Sequence, residues 1–329
     1  MNSTRTAKIK SNTNRSTRTV PLLLFVTLVA TSGFVASPLA AQQADTPETI
    51  QTFPVEAGAW ALVFDGANIW VDNYGFYDGT VTKLRASDGV VLGDFAVGSG
   101  PIGITFDGAN IWTANQYDGT VTKLRASDGM VLGTFAAGDY PYGMTFDGEN
   151  VWVANWFDDT VTKIRPSDGR ILGTFPAGTA PNDLAFDGTN IWAVNEFSDS
   201  VTKLRASDGM LLGTFEIPTT GGDLHGIVFD GANIWVGDSN NDRLIKLRAS
   251  DGTLLGKHRV GDVPWGIAFD GVRIWVTNIG SNDVARLAIG GLVEHRYPVG
   301  NNPRGILFDG TSIWVANELD ATVTKITPR

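Results

Sequence analysis

Cysteine is absent from all 329 residues. No disulfide can staple this chain, no thiolate can hold a metal, and no cysteine is present to act as nucleophile or lipid anchor. Histidine is scarce, at three residues, so no histidine cluster of the zinc-enzyme kind can form. There is no Gly-rich phosphate loop after a strand and no serine elbow. Basic residues are the minority, 25 Lys and Arg against 35 Asp and Glu. That balance argues against nucleic acid, which attracts Lys/Arg-rich faces, and against anionic membrane surfaces. After residue 36 no apolar run is long enough to span a bilayer.

What is present is a hydrophobic content of 43%, ten Trp and 39 Gly. That mixture suits many short strands joined by tight turns. The first 41 residues differ from the rest. They carry Arg5, Lys8, Lys10, Arg15 and Arg18 and no acid, then the apolar run "PLLLFVTLVATSGFVA", then "SPLAAQQ". Basic, apolar and small-residue regions in that order predict a signal peptide over 1–41, cut after Ala41, with a short linker at 42–48. The alternative is an uncleaved anchor, but the run falls short of the ~20 residues a spanning helix needs. The expectation is therefore an exported protein, periplasmic or extracellular, with no membrane insertion after cleavage. Cleavage removes five basic residues and leaves 20 against 35 acids, a formal charge of −15.

Internal repetition dominates the remainder. Phe-Asp-Gly begins at Phe64, Phe106, Phe146, Phe186, Phe229, Phe269 and Phe308, in steps of 39 to 43 residues. Residues 101–138 show one whole unit, "PIGITFDGANIWTANQYDGTVTKLRASDGMVLGTFAAG". Four β-prone runs, a to d, lie between turn signals, and Asp-Gly between apolar alternations is a strong hairpin mark. A period near 40 without helical patterning predicts propeller blades. The seventh copy offers only strands a, b and c. The run "IQTFPVEAG" near the other end reads like a strand d. The fold expected over 49–329 is an all-β, seven-bladed β-propeller of four antiparallel strands per blade, closed by the N-terminal strand completing the last blade.

Comparing the copies separates frame from variation. Strand b carries Trp70, Trp112, Trp152, Trp192, Trp235, Trp275 and Trp314, once per blade. A residue needed equally by every blade is read as packing. The Asp of Phe-Asp-Gly is read as an Asx-type turn rather than a cation ring. The strand-c cations Lys83, Lys123, Lys163, Lys203, Lys246 and Lys325 are expected to form a solvated stripe. His258 and His295 are expected on outer strands near solvent.

Two positions vary. One, taken to lie just before strand a, is the x of Pro-x-Gly: Trp60, Ile102, Tyr142, Asn182, His225, Trp265 and Arg304. The other follows strand b: Tyr74, Gln116, Trp156, Glu196, Ser239, Ile279 and Glu318. In a four-stranded meander the d–a and b–c connections share a face, so ring closure should gather both sets at one mouth of the central channel. The three Trp outside the frame all belong here. Aromatics beside a few charges are the usual makeup of a ligand pocket. Trp60, Tyr142, Trp156, Glu196, His225, Trp265, Arg304 and Glu318 are therefore the candidate ligand-binding residues.

The unit "NIWVAN…DGTVTKLRASDG…LGTF" resembles the YVTN-type β-propeller repeat, a type found mostly in exported or surface proteins. It is also similar to the virginiamycin B lyase (streptogramin lyase) propellers, which implies opening of a cyclic depsipeptide by elimination with Mg²⁺ assisting. That resemblance places Glu318, in "PRGILFDGTSIWVANE", at the family's last-blade glutamate. Arg304 and Trp265 stand where the family has histidines, and arginine stays protonated, so it cannot serve as a base. The main reading is an exported binding module whose partner is a small molecule, peptide, glycan or protein, acting as a monomer with no cofactor and no assigned metal ligand. One alternative is a Mg-dependent carbon–oxygen lyase using Glu318, or a relocated pair, Glu196 with His225. The other is a structural surface protein without a specific ligand.

Overall fold

The computed structural model describes residues 48–219 and 221–328; the expected signal peptide, and the expected linker up to residue 47, lie outside them. The second blade shows how a copy folds. Pro101–Phe106, Asn110–Asn115, Thr120–Arg125 and Val131–Ala136 are consecutive antiparallel strands rich in β-branched residues. The turns between a and b and between c and d need φ > 0, which Gly108 supplies at 93° and Gly129 at 76°.

Seven such sheets occur among the described residues, each paired in the order a-b-c-d. The seventh is built from both chain ends. Its strands a, b and c are Pro303–Phe308, Ile313–Asn317 and Thr322–Thr327. Its outer strand is Thr49–Pro54, in register from Thr49 opposite Thr327 to Pro54 opposite Thr322. The molecule is a seven-bladed β-propeller. Closure by the N-terminal strand leaves the last blade with the same outer edge as the others.

Strand b is the buried centre of every blade, and in the first five blades strand d alternates between exposed and half-covered positions. The seven strand-b Trp side chains are fully buried. Each indole Nε1–H donates to the Asp of its own a–b turn at 2.7–2.8 Å. The other carboxylate oxygen of that Asp accepts two backbone N–H groups of the turn, as in Asp187 with Thr189 and Asn190. Burial alone would raise these carboxyls. The hydrogen bonds outweigh it and hold Asp65, Asp187, Asp230 and Asp309 below the usual range. A ring from strand d packs against each Trp at 5.2–5.7 Å, stacked in three blades and tilted in four: Phe in five blades, His258 in the fifth and Tyr297 in the sixth. His258 is thus a half-buried packing ring, more covered than its outer-strand position suggested, while His295 is exposed.

The strand-c lysines are not a solvated stripe. Lys83, Lys163 and Lys203 are buried. All six Nζ groups sit 4.7–5.1 Å from the centroid of their own blade's Trp ring. Each then donates at 2.7 Å to the backbone carbonyl that follows strand c of the next blade. Lys325 does this across the ring closure, reaching Ala86 in the first blade. The sequence pattern hid this because alternation along a strand says which face a side chain leaves from, not what the neighbouring blade brings to meet it. In the sixth blade Arg286 takes the lysine position and donates to Tyr297 of its own blade, so no lysine clasp reaches the seventh among the described residues.

Replacing Asp187 by Ala removes the acceptor for the Trp192 indole and two turn N–H groups. A loss of about 1–3 kcal/mol is expected at neutral pH. The depressed carboxyl contributes stability that is present above its unfolded pKa and is lost as pH falls through the folded one. The gap between variant and wild type in urea midpoint should therefore be full at pH 7 and shrink below about pH 4. A gap unchanged at pH 3 would contradict this account.

Candidate functional site

Strand a lines the central channel, and at its start neighbouring blades nearly touch. A Cβ on Gly143 would lie 2.6 Å from the Asn182 carbonyl oxygen, and one on Gly266 would lie 2.5 Å from that of Arg304. Glycine follows x in five blades because the inner strands approach too closely for a side chain. The pairing of strands a and b slips at the same place, for instance between Pro141 and Met144. This bulge re-aims x. Position x is thus the second residue of strand a, not the residue before it as expected from sequence.

The candidate residues meet. Trp156 Nε1 donates to Glu196 Oε2 at 2.8 Å. Asn182 Nδ2 lies 3.3 Å from Glu196, 2.7 Å from the Leu224 carbonyl oxygen and 3.0 Å from His225 Nδ1. His225 Nε2 faces Asp223 at 3.1 Å, and its ring stacks on Trp265 with centroids 3.7 Å apart. The Arg304 guanidinium sits 4.3 Å from the Trp265 ring and 4.2 Å from the Trp60 ring. Its Nε donates to Glu318 Oε2 at 2.7 Å. Trp60 continues to Tyr74, at 5.3 Å. Tyr142 borders both hollows described below, and burial pushes its hydroxyl well above the usual range. All eight candidates therefore lie around one mouth.

Two hollows open there. One, of about 210 Å³, runs down the channel between the x side chains. The other, of about 310 Å³, is walled by Tyr140, Tyr142, Trp156 and Trp265, with Glu196, Asp223 and His225 among its polar groups. Asp183 reaches the channel because the fourth blade has Asp where most have the close-approach glycine. Burial pushes its carboxyl up to about 6, against the N–H groups of Leu184 and Ile227 that hold it down.

Sequence reasoning missed Asp223 and a band of rings. Asp223 lies in the connection that makes the fourth step 43 residues long, and that extra length was the available signal. The rings stand one place beyond the variable b–c position: Tyr117, Phe157 and Phe197. Together with Tyr74, Tyr140 and Trp156 they continue the aromatic contacts around the rim at 4.5–6.3 Å. Phe157 and Phe197 are exposed.

No protein-family model matches the chain, and no curated protein matches it. Solved structures do. Virginiamycin B lyase from Staphylococcus aureus, in a catalytically inactive form with quinupristin, superposes with a TM-score of 0.75 at 20% identity, covering 86% of this chain and 100% of that one. A streptogramin B lyase gives 0.73 at 18% identity, over 85% and 97%. Kuenenia stuttgartiensis hydrazine synthase gives 0.74 at 18% identity, over 87% and 98%. The likeness is one of fold. A lyase and a synthase share it, so the mouth and not the scaffold must decide function.

Asp183 offers a check on the electrostatics of that mouth. A raised carboxyl stabilises the fold below its unfolded pKa and loses that contribution as pH rises through about 6. Asp183→Asn should therefore gain on wild type by about 2 kcal/mol between pH 4 and pH 8, whatever constant cost the amide incurs beside the Ile227 N–H. Parallel urea curves at the two pH values read this difference. A constant difference would mean Asp183 titrates normally.

Proposed function

We propose that this protein is an exported binding module that holds a small molecule, peptide or glycan at the d–a/b–c mouth of its propeller. The observation that carries this is the continuous contact chain from Trp156 through Glu196, Asn182, His225, Trp265 and Arg304 to Glu318. It links blades three to seven at one mouth, while the opposite face repeats near-identical Asp-Gly and Ser-Asp-Gly turns. Trp60, Tyr142, Trp156 and Trp265 supply half-covered stacking surface. Arg304, Glu318, Glu196 and His225 set polarity. The basic-apolar-small order of residues 1–41 supports export.

The lyase reading has the position of Glu318 in its favour, since that residue does lie at the mouth. Its carboxylate, however, is already bound by the Arg304 guanidinium and the Asn302 amide. A permanent cation occupies the glutamate that the resemblance assigns, so this position does not fit a Mg²⁺ ion.

In native mass spectrometry of protein recovered from its own host, the wild type should carry a bound mass that the Trp60→Ala/Trp265→Ala variant lacks. The variant should still melt within a few degrees of wild type, because all seven frame Trp remain. A wild type with nothing bound, or a variant that unfolds, would count against the binding reading and favour a face without a specific ligand. Streptogramin B incubated with and without Mg²⁺ tests the alternative; no ring opening above buffer ends it.

A further inference from the structure

We propose that Glu196, Asp223 and His225 form a site for one first-row divalent transition ion such as Zn²⁺. The inference deepens the binding reading, because the three side chains border the hollow beside Trp156 and Tyr142. One ligand atom from each residue lies within 4.8 Å of the others, as donors around a single ion must. They come from two segments of the chain: Glu196 follows strand b of the fourth blade, while Asp223 ends the connection to the fifth and His225 is the second residue of that blade's strand a.

Two further observations point to a cation. The histidine is buried and preset, 5% exposed and stacked flat on Trp265. Its neighbours are short of donors. Asn182 Nδ2 is shared among Glu196, His225 and the Leu224 carbonyl oxygen. Asn182 Oδ1, in a side chain only 1% exposed, has no partner among the described residues. Two carboxylates and the Leu224 carbonyl oxygen share only the Asn182 amide N–H groups, the Trp156 indole N–H and one imidazole N–H, a surplus of lone pairs that a bound cation relieves.

The donor set selects the kind of ion. An imidazole nitrogen favours Zn²⁺ and its first-row neighbours over Mg²⁺ and Ca²⁺, which take oxygen ligands. Three protein ligands leave a fourth position for water or for an oxygen of a molecule in the hollow. The carboxylate or hydroxyl of such a molecule would then bind the ion while its apolar part packs against Trp156.

Full-length protein dialysed against EDTA should bind one Zn²⁺ by isothermal titration calorimetry, and Mg²⁺ at least tenfold more weakly. Glu196→Gln/Asp223→Asn and, separately, His225→Gln should each abolish the Zn²⁺ heat, and Asn182→Ala should weaken it about 10–100-fold. The control is His258→Phe/His295→Gln, which removes the other two histidines of the chain and should bind as wild type does. Circular dichroism keeps a misfolded variant from being read as a lost site. Absent Zn²⁺ binding, or binding that survives in the folded cluster variants, overturns the proposal. The mass-spectrometric test stands apart: an organic mass without metal would sink the ion and leave the binding reading, and Zn²⁺ binding without an organic mass would do the reverse.

Discussion

The structure depends on what is done with seven buried indoles. A tryptophan in a β-sheet core brings a large apolar surface and one N–H that must find an acceptor. Here the acceptor is always the aspartate five residues earlier, which also ties down the turn. One face of the indole takes a ring from strand d and a lysine approaches the ring. The same lysine then donates into the next blade. A single residue set thus settles the packing inside a blade and the joint between blades. A chain with no cysteine can close a ring of sheets this way without any covalent staple.

That economy explains why the two faces differ. Asp-Gly and the strand-c turn are parts of the clasp, so the face that carries them has little freedom to vary. The other mouth carries only the geometric requirement for small residues where the inner strands approach. Position x and the residue after strand b are released from framework duty, and chemistry can collect there. The sixth blade shows the limit of the rule: with Arg286 in place of lysine the ring still closes, held at that joint by apolar packing such as Trp275 and Tyr297 against Ile313 and Val315.

The fold was legible because its causes are periodic. Phe-Asp-Gly and Trp recur once per blade, and a truncated last copy beside a stray strand d points to closure by the N-terminal strand. The mouth was legible in part, because it is where the period breaks: the x series and the residues after strand b diverge from copy to copy. What stayed hidden is aperiodic or depends on a neighbour. Asp223 stands two residues before x, where the other copies have Gly58, Gly100, Tyr140, Ala180, Val263 and Asn302, and no carboxylate recurs there to draw notice. Asn182 looked like one more substitution at x, yet it bridges Glu196 and His225. The lysines repeated faithfully, but their acceptors are carbonyls in another blade, and carbonyls leave no trace in a sequence.

Charge at the mouth connects the two halves of the site. Three carboxylates, Glu196, Asp223 and Glu318, stand against one guanidinium, with Asp183 adding a fourth where it is ionised. Arg304 neutralises Glu318 directly, and both sit on the Trp60–Trp265 side. The carboxylates next to His225 have no such cation among their described partners, so with the imidazole neutral that side carries net negative charge and repels anionic ligands. A divalent ion there would cancel Glu196 and Asp223 and leave the mouth close to neutral, with Trp265 in contact with both His225 and Arg304. The metal-loaded mouth would then accept an acidic or neutral molecule, whereas the metal-free mouth favours a cation. Under the proposed binding reading, which of these the mouth would hold depends on whether the Glu196–Asp223–His225 group is filled, so the proposed ion would set ligand choice as well as stabilise the mouth locally.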